Sequence, residues 1–126
     1  MQNHTKQAAR AAALDARRAL PALDRSIASA RICERIIRSH EFRSCQLLGV
    51  YLPMRDEVDP TAIVERAWSA QKRVFAPVTD THGVMNFCEI TPDTVVTRSR
   101  YGLWEPASGV IIDARDLDVV ITPVVA

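Results

Sequence analysis

Glycine is scarce in this chain. Gly49, Gly83, Gly102 and Gly109 are the only four in 126 residues, and no two are close. That excludes a phosphate-binding P-loop and a dinucleotide-binding GxGxxG turn. The histidines His4, His40 and His82 are scattered, without metal-ligand spacing. No Ser or Cys stands in a nucleophile elbow. The cysteines, Cys33, Cys45 and Cys88, are odd in number, far apart and form no CxxC pair. They are expected as buried, reduced thiols in a cytoplasmic setting. No apolar run approaches the length needed to cross a bilayer. The start, "MQNHTKQAAR", has no apolar stretch behind its charges and does not read as a secretory signal. With a net charge of +1, no bulk electrostatic argument favours nucleic acid or membrane.

The ordinary remainder, 48% hydrophobic and 25% charged, predicts one globular domain over 1–126 with a real core. More than half of the basic residues lie before residue 44, so the first third is locally basic. "KQAARAAALDARRAL" is built of strong helix formers, and Pro21 ends or bends it. "DRSIASARICERIIRSH" predicts a second, amphipathic helix with Asp24 as N-cap. "QLLGVYL" is too short for a helix, nearly all apolar, and reads as a strand buried on both faces. Asp59-Pro60 starts a helix through "TAIVERAWSAQ", with Asp as cap and Pro in the first turn. "RVFAPV" is a second buried strand, so the order strand–helix–strand predicts a right-handed βαβ unit. "VMNFCEI" alternates, as an edge or antiparallel strand does. "TPDTVVTRSRYGLWEPASG" reads as irregular, and "DLDVVITPVVA" as a third buried parallel strand. The fold class is therefore α/β with a mostly parallel sheet and N-terminal helices packed on it. A loop and helix are expected after the last strand, so the sequence looks cut short there.

Three places could carry chemistry. Lys6 and Arg10 are four apart on the first helix, and Arg17 lies on nearly the same azimuth. Like charges at that spacing repel by about 0.2–0.5 kcal/mol per pair. They are either a solvated face, with Asp15 nearby, or the partners of an anion such as phosphate. Asp56, Glu57 and Asp59 follow the first strand, where parallel-sheet proteins put ligand contacts. Asp59 is explained as a helix cap; Asp56 and Glu57 serve ligand or solvation. A metal site shows a fuller ligand set, and no metal ligand is assigned. Trp104, in "YGLWEPASG", is a plug over the core or a stacking platform for a flat ligand. Tyr51 and Met54 frame the acidic loop, and Trp68, inside an amphipathic helix, reads as core.

In combination these segments say more than any one of them. A leading "KxxxR" helix, then "YLPMRDEVDP", "VFAPV", "YGLWEP" and "DLDVVITPVVA", in that order, resembles the 5-formyltetrahydrofolate cyclo-ligase (5,10-methenyltetrahydrofolate synthetase) family. "DEVD" and "GLWEP" are the most distinctive. The resemblance implies a three-layer α/β domain and ATP-dependent, Mg²⁺-assisted conversion of 5-formyltetrahydrofolate into 5,10-methenyltetrahydrofolate. It implies that Lys6 and Arg10 contact ATP phosphates. It makes Glu57 the folate-site carboxylate, with Tyr51, Leu52, Met54 and Trp104 lining that pocket. It leaves the catalytic residues unassigned. The family's Gly-rich "FDxxGxRLGxGxGYYD" segment has no counterpart here, so the chain matches the N-terminal part of a family member and the C-terminal part is missing. A truncated, inactive paralogue that binds folate or a phosphate ligand is the alternative. A third reading is a second copy or other partner that covers the last strand. A generic sugar-phosphate or nucleotide binder remains as a fold-level analogy.

Overall fold

A computed structural model describes residues 2–53, 57–99 and 102–123, with side chains from Thr5 onward. The helices α1 (Gln2–Ala19) and α2 (Ala22–Arg38) meet at Pro21. Proline lacks the N–H that would continue the first helix, yet its fixed φ suits the residue before a new one. Helix α2 therefore starts three residues earlier than a cap at Asp24 would give, and Asp24 lies in its first turn rather than at the cap. There it still faces the positive end of the helix dipole. The expected run to His40 is broken at Ser39, which is extended. The Ser39 hydroxyl donates to Ile36 O (2.6 Å) and accepts from Phe42 N (3.2 Å). It thus closes α2 and caps the short α3 (His40–Ser44).

Strand β1 (Leu47–Gly49), helix α4 (Thr61–Ser69) and strand β2 (Arg73–Thr79) form the expected strand–helix–strand unit, with β1 and β2 parallel. Asp59 caps α4 from one position earlier than anticipated. Pro60 holds the cap position itself, and Asp59 Oδ1 accepts from Thr61 N (3.0 Å). Strand β3 (Met85–Ile90) pairs antiparallel with β2. The stretch 91–109, expected as irregular, contains the antiparallel hairpin of β4 (Val96–Arg98) and β5 (Trp104–Pro106). Glu105 Oε2 accepts from Thr79 N (2.8 Å) and ties this hairpin to the end of β2. Two further short strands follow, β6 (Ile111–Ile112) and β7 (Val119–Val120).

The main sheet has the order β6-β3-β2-β1-β7. Only β3 opposes the other four strands, because β6 is antiparallel to β3 and β7 is parallel to β1. The last strand is anchored by Asp118, whose Oδ2 accepts from Gln46 N (2.8 Å) and Leu47 N (2.9 Å). Those two amides hold its carboxyl below the usual carboxylate range.

Alternation decides the core. Leu48, Val50, Val74 and Ala76 point to the face that receives Cys33 of α2 and Ile63 of α4. Gly49 and Phe75 point to the opposite face, where a Cβ on Gly49 would come within 2.8 Å of Leu117 Cδ1 and 3.3 Å of Phe87. All three cysteines are buried and free. No helix among the described residues is long and apolar enough to cross a membrane.

Helix α4 ends in a tight reversal. Gln71 N donates to Trp68 O (2.9 Å) and Lys72 N to Ala67 O (2.9 Å), with Gln71 at φ +61°. This is the paired-bond helix stop that normally employs glycine at the left-handed position. A side chain there is strained by about 1–2 kcal/mol, partly offset by the greater freedom of glycine in the unfolded chain. Gln71→Gly should therefore stabilise the domain by about 0.5–1 kcal/mol. Urea unfolding measures this, and a lower midpoint would show that the Gln71 side chain contributes more than its backbone strain costs.

Candidate functional site

The residues that follow β1, one face of α4 and the end of β3 enclose an apolar cleft of about 250 Å³. Its walls are Tyr51 and Leu52 beyond β1, Val64 and Trp68 from α4, Ile90 at the end of β3 and Pro92 after it. Thr61, Val64, Glu65 and Trp68 all line it, an i, i+3, i+4, i+7 set that places one stripe of α4 along the cleft. Trp68 is fixed by its indole N–H, which donates to Ile90 O (3.1 Å). The ring is thus a rigid wall with its polar edge already satisfied. Trp68 packs against the core, as expected from its place in an amphipathic helix, and the same ring also walls the cleft. The helical spacing from Thr61 is the signal for that second role.

Tyr51 stands between this cleft and a second crevice, and it lines both. Its hydroxyl donates to Val58 O (2.6 Å), which pins the acidic loop back onto the end of β1. Burial pushes its phenol up to about 12, and the nearby charge of Glu57 adds to the shift. The positive charge of Arg17 opposes it. A phenol with a raised native pKa stabilises the fold fully below the ordinary tyrosine value of about 10. That contribution is lost as pH climbs toward 12. Phenolate absorbance during alkaline titration should therefore show one tyrosine ionising late, and Tyr51→Phe should remove that late step. Persistence of the step in the variant would place the raised phenol elsewhere.

The other expected residues are distributed as follows. Leu52 lines the cleft with Tyr51. Glu57 is half-buried and lines a larger cavity of about 750 Å³ between the acidic loop and helices α1, α2 and α4. Asp59 is occupied as a cap, and its carbonyl accepts from the Cys33 thiol (3.3 Å). Burial, with the Asp59 charge second, raises the Cys33 thiol, so this cysteine is poorly nucleophilic. Trp104, 39% exposed, is on the β4–β5 hairpin. The Arg98 guanidinium stacks over its ring at 4.7 Å. Trp104 does not line the cleft, although Val96 of the same hairpin does. Lys6 and Arg10 are exposed on α1 and line none of these cavities. Met54 and Asp56 lie outside the described residues. Among the described residues no three His, Cys, Asp or Glu side chains converge as a metal site would require. The described residues thus offer no protein cage for Mg²⁺.

A mostly parallel sheet with an apolar cleft beyond the carboxyl end of β1 defines an α/β domain whose cleft lies where such sheets place their ligands. The sequence matches the model of the 5-formyltetrahydrofolate cyclo-ligase family over residues 2–126. The chain belongs to that family. It is 27% identical over 111 residues to a 5-formyltetrahydrofolate cyclo-ligase of Haemophilus influenzae, covering 85% of this chain and 59% of that protein. It is 33% identical over 87 residues to the cyclo-ligase of Escherichia coli K12, covering 63% and 46%. Among solved structures, the 5,10-methenyltetrahydrofolate synthetase of Aquifex aeolicus superposes with a TM-score of 0.78 at 21% identity. That match covers 91% of this chain and 58% of the other. The synthetase of Mycoplasma pneumoniae gives 0.69 at 17% identity, covering 94% and 63%. The two structures carry the fold alone, and this chain spans less than two thirds of each of these four relatives.

Proposed function

We propose that this chain is one α/β domain that holds the folate side of an ATP-dependent 5-formyltetrahydrofolate cyclo-ligase, whose product is 5,10-methenyltetrahydrofolate. The observation that carries the reading is the cleft walled by Tyr51, Leu52 and Trp68. It is apolar, bounded by a fixed aromatic, and sized for part of a flat ring system. The charge of Glu57 acts on the Tyr51 phenol, and Glu57 lines the larger cavity on the other side of the same loop. In this reading Glu57 accepts hydrogen bonds from the polar edge of the pterin. Tyr51, Leu52 and Met54 provide apolar contact, and Trp104, on the hairpin whose Val96 lines the cleft, is the further aromatic of the folate site.

ATP, when bound, supplies the phosphoryl group that converts the formyl oxygen into a leaving group. Lys6 and Arg10 neutralise its phosphate charge, which is the main requirement of phosphoryl transfer. Exclusion of water by the apolar walls then protects the activated carbon until N10 closes the ring and phosphate departs. A reaction on a folate and a nucleotide places the protein in cytoplasmic small-molecule metabolism, and a net charge of +1 gives no bulk attraction to nucleic acid or membrane.

The test is to mix the purified chain with 5-formyltetrahydrofolate, ATP and Mg²⁺ and follow the absorbance of the methenyl product. Turnover supports the full reading. Folate binding without turnover reduces it to a folate-binding module. No binding and no turnover removes it.

A further inference from the structure

Arg17 is on α1, one residue of a basic stripe whose other members, Lys6 and Arg10, are exposed. Unlike them it reaches inward. Its Nε is buried and has no hydrogen-bond partner. The side chain lines both the 750 Å³ cavity that holds Glu57 and a neighbouring crevice of about 110 Å³. A crevice of that size holds a few heavy atoms, since a water molecule's share of liquid volume is about 30 Å³.

The crevice has a distinctive make-up. Tyr51 follows β1, and Ile121, Thr122 and Pro123 follow β7. It therefore opens at the carboxyl ends of two adjacent parallel strands, the usual place for a ligand in such a sheet. Glu57, Asp59 and Glu65 line the larger cavity but not this crevice. Arg17 is the only charged side chain among the described residues that lines it. A guanidinium carries five donors in a planar fork suited to oxyanions and cannot lose its charge. Leaving one of those donors buried and unmade is unfavourable, so the arrangement is completed by an acceptor from outside the fold.

We propose that Arg17 is an oxyanion-binding residue that receives a phosphate or carboxylate oxygen of the bound ligand in the crevice between α1 and the ends of β1 and β7. The inference rests on the proposed ligand-binding role of this domain. It goes beyond that role by adding a third cation, set apart from Lys6 and Arg10 and facing the sheet. The oxyanion has two sources in that chemistry, the phosphate chain of a nucleotide or the glutamate carboxylate of a folate.

Calorimetric titration of the full chain with inorganic tripolyphosphate and, separately, with 5-formyltetrahydrofolate tests this in the wild type, Arg17→Met and Arg17→Lys. Arg17→Met should weaken one of the two ligands at least tenfold, and Arg17→Lys should recover part of the loss by keeping the charge without the fork. Loss of tripolyphosphate assigns the site to phosphate; loss of the folate assigns it to the carboxylate. Because the Nε makes no bond in the free protein, Arg17→Met should leave the melting temperature unchanged or raise it. Unchanged affinity for both ligands overturns the proposal, as does a wild type that binds neither. A lowered melting temperature with unchanged affinities overturns it also, and makes Arg17 a packing residue. A wild type that binds tripolyphosphate but not the folate removes the proposed function and leaves Arg17 in place.

Discussion

Lys72→Ala should destabilise the domain by about 2–4 kcal/mol, a large share of the stability of a domain this size. Among the described residues Lys72 is the one buried charged side chain, 8% exposed. Its Nζ donates to Cys45 O (2.7 Å) and Arg43 O (3.2 Å), the carbonyls at the end of α3. It also lies over the Phe42 ring, 5.3 Å from its centre. The residue thus fastens α3 to the start of β2 through groups distant in sequence. Alanine would strand two carbonyls in a site with little water and remove the aliphatic stem. Lys72→Met separates these causes, because methionine keeps the stem and loses only the donor. Chemical unfolding of both variants is the measurement. If hydrogen bonding dominates, methionine should be nearly as damaging as alanine. A methionine variant close to wild type would mean that packing of the stem does most of the stabilising.

The second large effect is expected on binding. Glu57→Gln should weaken 5-formyltetrahydrofolate by about 1.5–3 kcal/mol, roughly tenfold to a hundredfold, since it replaces a charge-assisted acceptor with a neutral amide. A titration followed by tryptophan fluorescence reads it directly. Removing Lys6 and Arg10 together should leave the folate affinity as it was, which separates the two halves of the site. An unchanged affinity in Glu57→Gln would take that carboxylate out of the folate site and leave Asp56, beside it in sequence, as the next candidate.

The sequence made the central scaffold legible. An apolar run too short for a helix, an Asp-Pro helix start and a second apolar run are local signals, and they correspond to β1, α4 and β2. The acidic loop between β1 and α4 was legible for the same reason. Where the reading failed, the deciding partner was remote. The segment 91–109 looks irregular because β4 and β5 are three residues each, and their hairpin is held to β2 by a side chain, Glu105. Trp68 packs on the core as its helix predicts, and only the position of Ile90 and Pro92 makes the same ring a cleft wall as well.

Residues 6, 10 and 17 show most directly what each level determined. The helical period alone put three cations on one face of α1 and raised the question of an anion. Their different fates were settled by contacts between opposite ends of the chain. Lys6 and Arg10 remain in solvent, whereas Arg17 meets Tyr51 and the residues that follow β7. Periodicity is a property of neighbours along the chain, and it is written in the sequence. Desolvation depends on what the rest of the chain brings against a side chain, and only the tertiary structure decides that.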